Sequence, residues 1–282
     1  VNFRPIEKSD ISDFRDLLID SVHRSVTQEP VALAMSGGID SASIFFCLKE
    51  LDIDFECYTF YQDGYESDDL LESRKYCAEF GVNLVEVRIS SDIDTIYRET
   101  REIIPYCGNK ILKTKIETLR PLKNLFSACN ASVMLNGLSA DDYQPDKRKV
   151  NIMLKTKGEI AVLDAGKRVS LDNVEDSMEL LSKKMALDYG VKWVDAYADK
   201  RIEEFFLQFS LKDIIRPHKN IVTRAFSEYF DRVGGHRKHS SYQINSRTNQ
   251  FHDELLRSKY NTKNHKAIIG LYNQIAKELE NA

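Results

Sequence analysis

The sequence predicts an α/β protein, a doubly wound parallel sheet followed by a helical half, and three observations lead there. Four short β-rich runs, at 31–35, 55–60, 83–89 and 131–135, alternate with helix-like segments at about 41–50, 67–80 and 115–130. That alternation is the signature of parallel strands joined by crossover helices. A glycine-rich turn, Ser36-Gly37-Gly38-Ile39-Asp40-Ser41, follows the first run directly. Past about residue 170 the strand signal disappears and apolar residues recur at helical spacing.

The elements can be justified in order. Ile11, Phe14, Leu18, Val22 and Val26 recur every three or four positions, an amphipathic helix leading to Pro30. Ser67 is placed to cap the helix at 67–80 and Gly81 to stop it. Later segments at about 172–189, 199–209, 218–232, 250–259 and 264–280 read as helices. Between them, "VNIMLKTKGEIAVLD" fits either a hairpin or an insertion. The expected organisation is a core over 1–142, a hairpin or insertion over 143–170, and a helical part of the same domain over 171–282.

Composition narrows the function classes. The 282 residues are 42% hydrophobic, enough for a sizeable core, and 40 Lys+Arg against 44 Asp+Glu leave a formal charge of −4. Neither nucleic acid nor an anionic membrane is indicated as a partner by that balance. Cys47, Cys57, Cys77, Cys107 and Cys129 contain no C-x-x-C pair, against both a disulfide framework and a thiolate zinc site. They suit buried, reduced thiols of a cytoplasmic protein. No apolar run reaches the ~18 residues of a membrane span.

The turn at 36–41 carries the chemistry. A strand that ends in Ser-Gly-Gly and passes straight into a helix gathers free backbone N–H groups and the positive end of the helix dipole at one point, where anions bind. Gly37 and Gly38 permit close approach, and Ser36 and Ser41 can donate to phosphate oxygens. Asp40 would repel phosphate without a cation between them, which points to a magnesium-bridged pyrophosphate. No G-x-x-x-x-G-K-[ST] occurs, so this is not the ordinary P-loop. At the end of the last strand, "LNGLSADDYQPD" supplies a second turn, Asn136-Gly137, with Asp141 and Asp142 on the same edge of the sheet. The bland alternatives are a plain glycine turn and a solvated acidic loop.

"SGGIDS" resembles the pyrophosphate loop of the N-type ATP pyrophosphatases, which have the adenine nucleotide alpha hydrolase-like fold. The approach through 11–27, "NGLSADD" in place of that family's G-E-G-A-D-E, "LLSKKMALDYGVKWVDAYADK" with Asp195 at the aspartate position, and "RPHKNIVTRAFSEYF" in place of K-x-x-[LV]-R-x-A resemble the synthetase domain of the asparagine synthetases. The resemblance implies an ATP-dependent amide ligase that adenylates a carboxylate, releases pyrophosphate and transfers the acyl group to ammonia or an amine. Carried over, it places Ser36, Gly37, Gly38, Asp40 and Ser41 around the pyrophosphate and Met35, Phe60, Asn136 and Gly137 around the adenosine. It makes Asp40 and Asp141 the Mg²⁺ ligands and Lys238 the lysine that neutralises developing charge; a solvated basic patch with Arg237 and His239 is the alternative for Lys238.

Departures matter as much. Leu138 stands where the family has a glutamate that helps deprotonate the amine, so Asp142 or solvent is left to accept the proton. The family's glutaminase domain with its leading cysteine is absent from these 282 residues, so ammonia comes from elsewhere or the nucleophile is another amine. Two rival readings stand beside this one. "SADDYQPD" is also similar to the A-D-D loops of lysidine-synthase- and thiolase-like RNA-modifying pyrophosphatases, and loss of the glutamate suits a non-catalytic nucleotide-binding subunit.

Overall fold

The computed structural model describes residues 3–108, 110–144, 155, 177–210, 213–214, 219–236 and 247–281. Its opening helix, α1 (Lys8–Ser25), starts in a reciprocal capping box between Glu7 and Asp10 and turns Phe14, Leu18 and Val22 fully inward. Then follow β1 (Val31–Ala34), α2 (Ile39–Glu50), β2 (Phe55–Gln62), α3 (Asp68–Phe80), β3 (Leu84–Ile89), α4 (Ile93–Ile103), α5 (Lys113–Ala128), β4 (Val133–Asn136), the single turn α6 (Ala140–Tyr143) and β5 (Lys192–Asp195). Ser67 caps α3 by accepting from the Leu70 N–H, and Gly81 ends it in the left-handed region at φ +65°.

All five strands are parallel, in the order β3-β2-β1-β4-β5. β1 is central, Val31 pairing with Phe55 on one side and Val133 on the other. Strand order reverses between β1 and β4, and in open α/β sheets the crevice beyond the strand ends at such a point is where ligands bind. Alternate side chains feed two cores: Val31, Leu33, Val133 and Leu135 pack under α1, α2 and α3, while Ala32, Met134 and Trp193 pack under α4 and α5. Both faces are therefore covered, as an all-parallel sheet requires.

Two expectations need correction. The strand signal does not end near residue 170: Lys192–Asp195 is β5, paired in register with β4. Four residues with only Trp193 and Val194 apolar are too short to betray period two between long helical runs. The helix expected at 218–232 is two, Asn220–Ala225 and Ser227–Arg232, with Phe226 between them. Late helices among the described residues also include Met178–Asp188, Lys200–Phe206, Phe251–Arg257 and Ile268–Glu280. Apart from Tyr143, Gln144 and Lys155, the hairpin or insertion expected at 143–170 lies outside the described residues. None of the five cysteines forms a disulfide, and four of them are buried; among the described residues no helix is long and apolar enough to cross a membrane.

The last two helices are fastened to α5 by a buried polar chain. His252 Nε2 lies 2.8 Å from Glu117 Oε1, and its Nδ1 meets the Tyr272 hydroxyl. Burial, with Lys113 and Arg120 nearby, pushes the imidazole down to about 3, while burial raises Glu117 above the usual carboxylate range against the pull of Lys113. Because the folded protein holds His252 neutral, its contribution to stability is complete above about 6.5 and is lost as pH falls toward about 3. At ~1.4 kcal/mol per pH unit the loss is capped at roughly 5 kcal/mol. Glu117 acts in the opposite sense, stabilising at low pH, and offsets part of it. Denaturant titrations from pH 8 to 4 should therefore show wild type exceeding His252→Gln most above pH 6.5, with the gap closing in acid; a gap independent of pH would refute this account.

Candidate active site at the β1–β4 crevice

β1 runs on through Met35, whose N–H bonds to the Tyr58 carbonyl at 2.8 Å and whose carbonyl accepts from Ser73 Oγ at 3.1 Å. The chain then reverses over Ser36-Gly37-Gly38. Gly37 sits at φ +67°, and a Cβ there would lie 2.4 Å from Glu72 Cβ, so only glycine fits between the turn and α3. Gly38 precedes α2 with no side chain capping the helix's first turn. Two hydroxyls clasp the loop from within. Ser41 Oγ accepts from the Ser36 N–H and donates to the Gly38 carbonyl, both at 3.2 Å, and Ser36 Oγ lies 3.2 Å from Ser41 Oγ. A tight loop, two hydroxyls and the uncapped N-terminus of a twelve-residue helix thus meet at one place, an arrangement chemically suited to an anion.

Across the crevice, β4 ends at Asn136, whose Oδ1 accepts from the Leu138 N–H at 3.1 Å. The Asn136 Nδ2 group is buried without a partner among the described residues. Gly137 packs directly on Asp40: a Cβ at 137 would lie 3.1 Å from Asp40 Cβ. The two turns therefore touch through glycine, which brings Asp40 close to the short helix carrying Asp141 and Asp142.

Between those acids lies a residue that is not among the expected site residues. Lys219 is 2% exposed, its ammonium pairs with Asp40 Oδ2, and it stands 2.8 Å from Asp141 Oδ1. Burial alone would lower its pKa, but the two carboxylates more than reverse that, leaving it raised. It is also held at φ +53°, left-handed backbone that a lysine rarely adopts, immediately before the helix Asn220–Ala225. A buried cation on a strained backbone points to function rather than stability. The signal is present in the sequence, because Lys219 heads the K-x-x-[LV]-R-like motif of "RPHKNIVTRAF".

Other expected site residues distribute as follows. Met35 and Phe60 are buried at the ends of β1 and β2, and Asp142 is half-buried beside Asp141, its N–H bonded to the Ser139 carbonyl at 3.0 Å. Leu138 is 44% exposed, an unusual position for a large apolar side chain at the mouth of a polar crevice. Lys238 and His239 lie outside the described residues.

The donor set suits a hard divalent cation. Asp40 and Asp141 converge on one point, where Lys219 supplies positive charge. Among the described residues no cluster of three or more metal-ligating side chains occurs. A cation here would draw its remaining ligands from substrate and water, as Mg²⁺ commonly does.

Residues 13–143 match the family model for asparagine synthase. Over 72 residues the chain is 35% identical to the microcin J25-processing protein McjC of Escherichia coli, a stretch that covers 26% of this chain and only 14% of that protein. Among solved structures, the U34-tRNA thiolase NcsA from Methanococcus maripaludis with its [4Fe-4S] cluster is 14% identical, covering 98% of this chain and 82% of its own at a TM-score of 0.41. The glutamine-dependent NAD⁺ synthetase from Acinetobacter baumannii in complex with ADP is 18% identical, covering 86% and 49% at a TM-score of 0.34. The family match runs from within α1 to the end of α6 and so contains the 36–41 turn, Asp40 and Asp141, whereas Asp195 and Lys219 lie beyond it. What the comparisons establish is thus a match to the asparagine synthase family model over residues 13–143, somewhat under half of the chain.

Proposed function

We propose that the chain is an ATP-dependent, AMP-forming amide ligase that joins a carboxylate to an amine. The observation that carries this reading is the meeting of Asp40, Asp141 and Lys219 at the strand-order reversal, beside the uncapped N-terminus of α2. In this reading the N–H groups of the 36–41 turn and the hydroxyls of Ser36 and Ser41 hold the pyrophosphate portion of ATP, with Met35, Phe60, Asn136 and Gly137 along the adenosine. Asp40 and Asp141 would hold Mg²⁺, which when bound supplies charge neutralisation for the departing pyrophosphate.

A carboxylate oxygen of the acyl substrate attacks the α-phosphorus as the bond to pyrophosphate breaks. Lys219 is already desolvated and lies within reach of the anionic site, where fixed positive charge stabilises a developing anion without solvent reorganisation. Lys238 remains a candidate for the same task on the acyl side. An amine then attacks the carbonyl carbon of the acyl-adenylate, AMP leaves, and the amine's proton passes to Asp142 or solvent. Exposed Leu138 offers apolar contact where free ammonia would gain nothing from it, favouring an organic amine.

The test is ATP–pyrophosphate exchange across a panel of carboxylic acids and RNA, followed by AMP formation with glutamine, ammonium and organic amines. Exchange driven by a carboxylic acid, with AMP release fastest for an organic amine, is the expected result. Exchange or AMP formation driven only by RNA would move the chain to a nucleobase-modifying chemistry. Glutamate released in step with AMP from glutamine would overturn the organic-amine assignment.

A further inference from the structure

The last residue of β5 occupies a position that neither strand geometry nor core packing requires to be acidic. Asp195 is 6% exposed and pairs in register with Asn136, the last residue of β4. Its Oδ2 accepts from the Ser139 N–H at 2.7 Å, and its Oδ1 accepts from the Tyr197 N–H at 2.9 Å. Each oxygen thus holds a different segment: one the turn that leads into Asp141, the other the chain leaving β5.

From Tyr197 the connection continues to the opposite wall. Its fully buried hydroxyl lies 2.7 Å from Ser43 Oγ, and Ser43 Oγ donates to the Asp40 carbonyl at 2.8 Å. With the Ser43 proton committed to that carbonyl, Tyr197 is the donor to Ser43. Ser21 Oγ of α1 donates to the Ala196 carbonyl at 2.6 Å and so fixes the middle of the turn. A path of hydrogen bonds through Ser43, Tyr197 and Asp195 thus joins the backbone of Asp40 to the turn before Asp141, and Asp195 and Tyr197 are its central members.

Keeping a carboxylate in this place is costly. Burial pushes Asp195 up to about 7 despite the bonds from Ser139 and Tyr197 that favour its charged form. Asparagine, of nearly the same shape, would avoid that cost but could accept only one of the two N–H groups, turning its own NH₂ against the other. A dedicated double acceptor is useful where the distance between two flanking groups must be held. Mg²⁺ tolerates little departure from octahedral geometry at ~2.0–2.1 Å, and α6, being one turn long, has little rigidity of its own.

We infer that Asp195 is a positioning residue which, with Tyr197, sets the separation of Asp40 and Asp141 and thereby the affinity of the site for its divalent cation. The inference rests on the proposal that those two acids hold Mg²⁺. Its test is calorimetric binding of α,β-methylene-ATP, which cannot release pyrophosphate, with Mg²⁺ or with EDTA, in a double-mutant cycle. Partners that orient metal ligands typically matter 10- to 100-fold, so Asp195→Asn should weaken Mg²⁺-dependent binding by at least about tenfold while leaving binding in EDTA within about twofold. In an Asp141→Asn background the same substitution should have little further effect, because its influence passes through Asp141.

An equal loss in both backgrounds, or no loss in Asp195→Asn where Asp141→Asn shows one, overturns the inference alone. Mg²⁺-dependent binding that survives Asp141→Asn overturns the cation assignment and this inference with it. Were Asp195→Asn to melt below the assay temperature, Tyr197→Phe takes its place, since it deletes one hydroxyl and keeps the ring. A Mg²⁺-dependent loss there supports the inference, and unchanged binding overturns it.

Discussion

Asp40→Asn and Asp141→Asn are each expected to reduce pyrophosphate release by about a thousandfold, at the upper end of what removal of one preorganised electrostatic group costs. Both substitutions keep shape and lose charge, so the packing of Gly137 on Asp40, 3.1 Å for a Cβ at 137, is undisturbed. The fold should survive, because neither side chain belongs to the two cores that flank the sheet. The variants should differ in one respect. Asp40 stands at the first turn of α2, where a carboxylate interacts favourably with the helix dipole, so its loss should also lower the melting temperature slightly, whereas Asp141 is the more exposed partner of Lys219. Exchange assays at saturating ATP, paired with circular dichroism, measure both effects. Near-wild-type turnover in either folded variant would remove that residue from the site.

Much of this arrangement is legible in the sequence. "SGGIDS" declares itself because a strand, two glycines and a helix start occupy adjacent positions, and each needs the next. Ser67 and Gly81 fall at the two ends of α3 because capping is local chemistry. What escapes has physical reasons as well. The expected helices leave out α4, although Ile96 and Ile103 share its buried face, because Glu99 and Thr100 are buried with them and break the apolar stripe with polar residues. β5 is hidden by its length, and with it the fact that Asp195 ends a strand beside Asn136. Lys219 escapes because a lysine in sequence reads as surface; the motif it heads marks the start of a helix but not the two carboxylates, which lie 78 and 179 positions away in the chain.

The second large effect concerns that lysine. Lys219→Met retains the length and the apolar stem but removes the charge that the two acids share. Breaking a fully buried ion pair from one side costs about 3–5 kcal/mol. Here Asp40 and Asp141 are 22% and 45% exposed and can rehydrate, so a loss nearer ~1–3 kcal/mol is expected. Turnover should fall further than stability, by about 10²–10³-fold, if the ammonium stabilises the departing pyrophosphate. Lys219→Asn separates charge from backbone, because asparagine accepts the left-handed φ of +53° more readily than lysine does. It should recover part of the lost stability without recovering turnover. Adding Mg²⁺ with α,β-methylene-ATP should raise the melting temperature of both variants at least as much as that of wild type, since the divalent cation then restores the positive charge between Asp40 and Asp141. A folded Lys219→Met protein that exchanges pyrophosphate at the wild-type rate would show that the lysine only balances the charge of Asp40 and Asp141, and would leave the catalytic role to another cation.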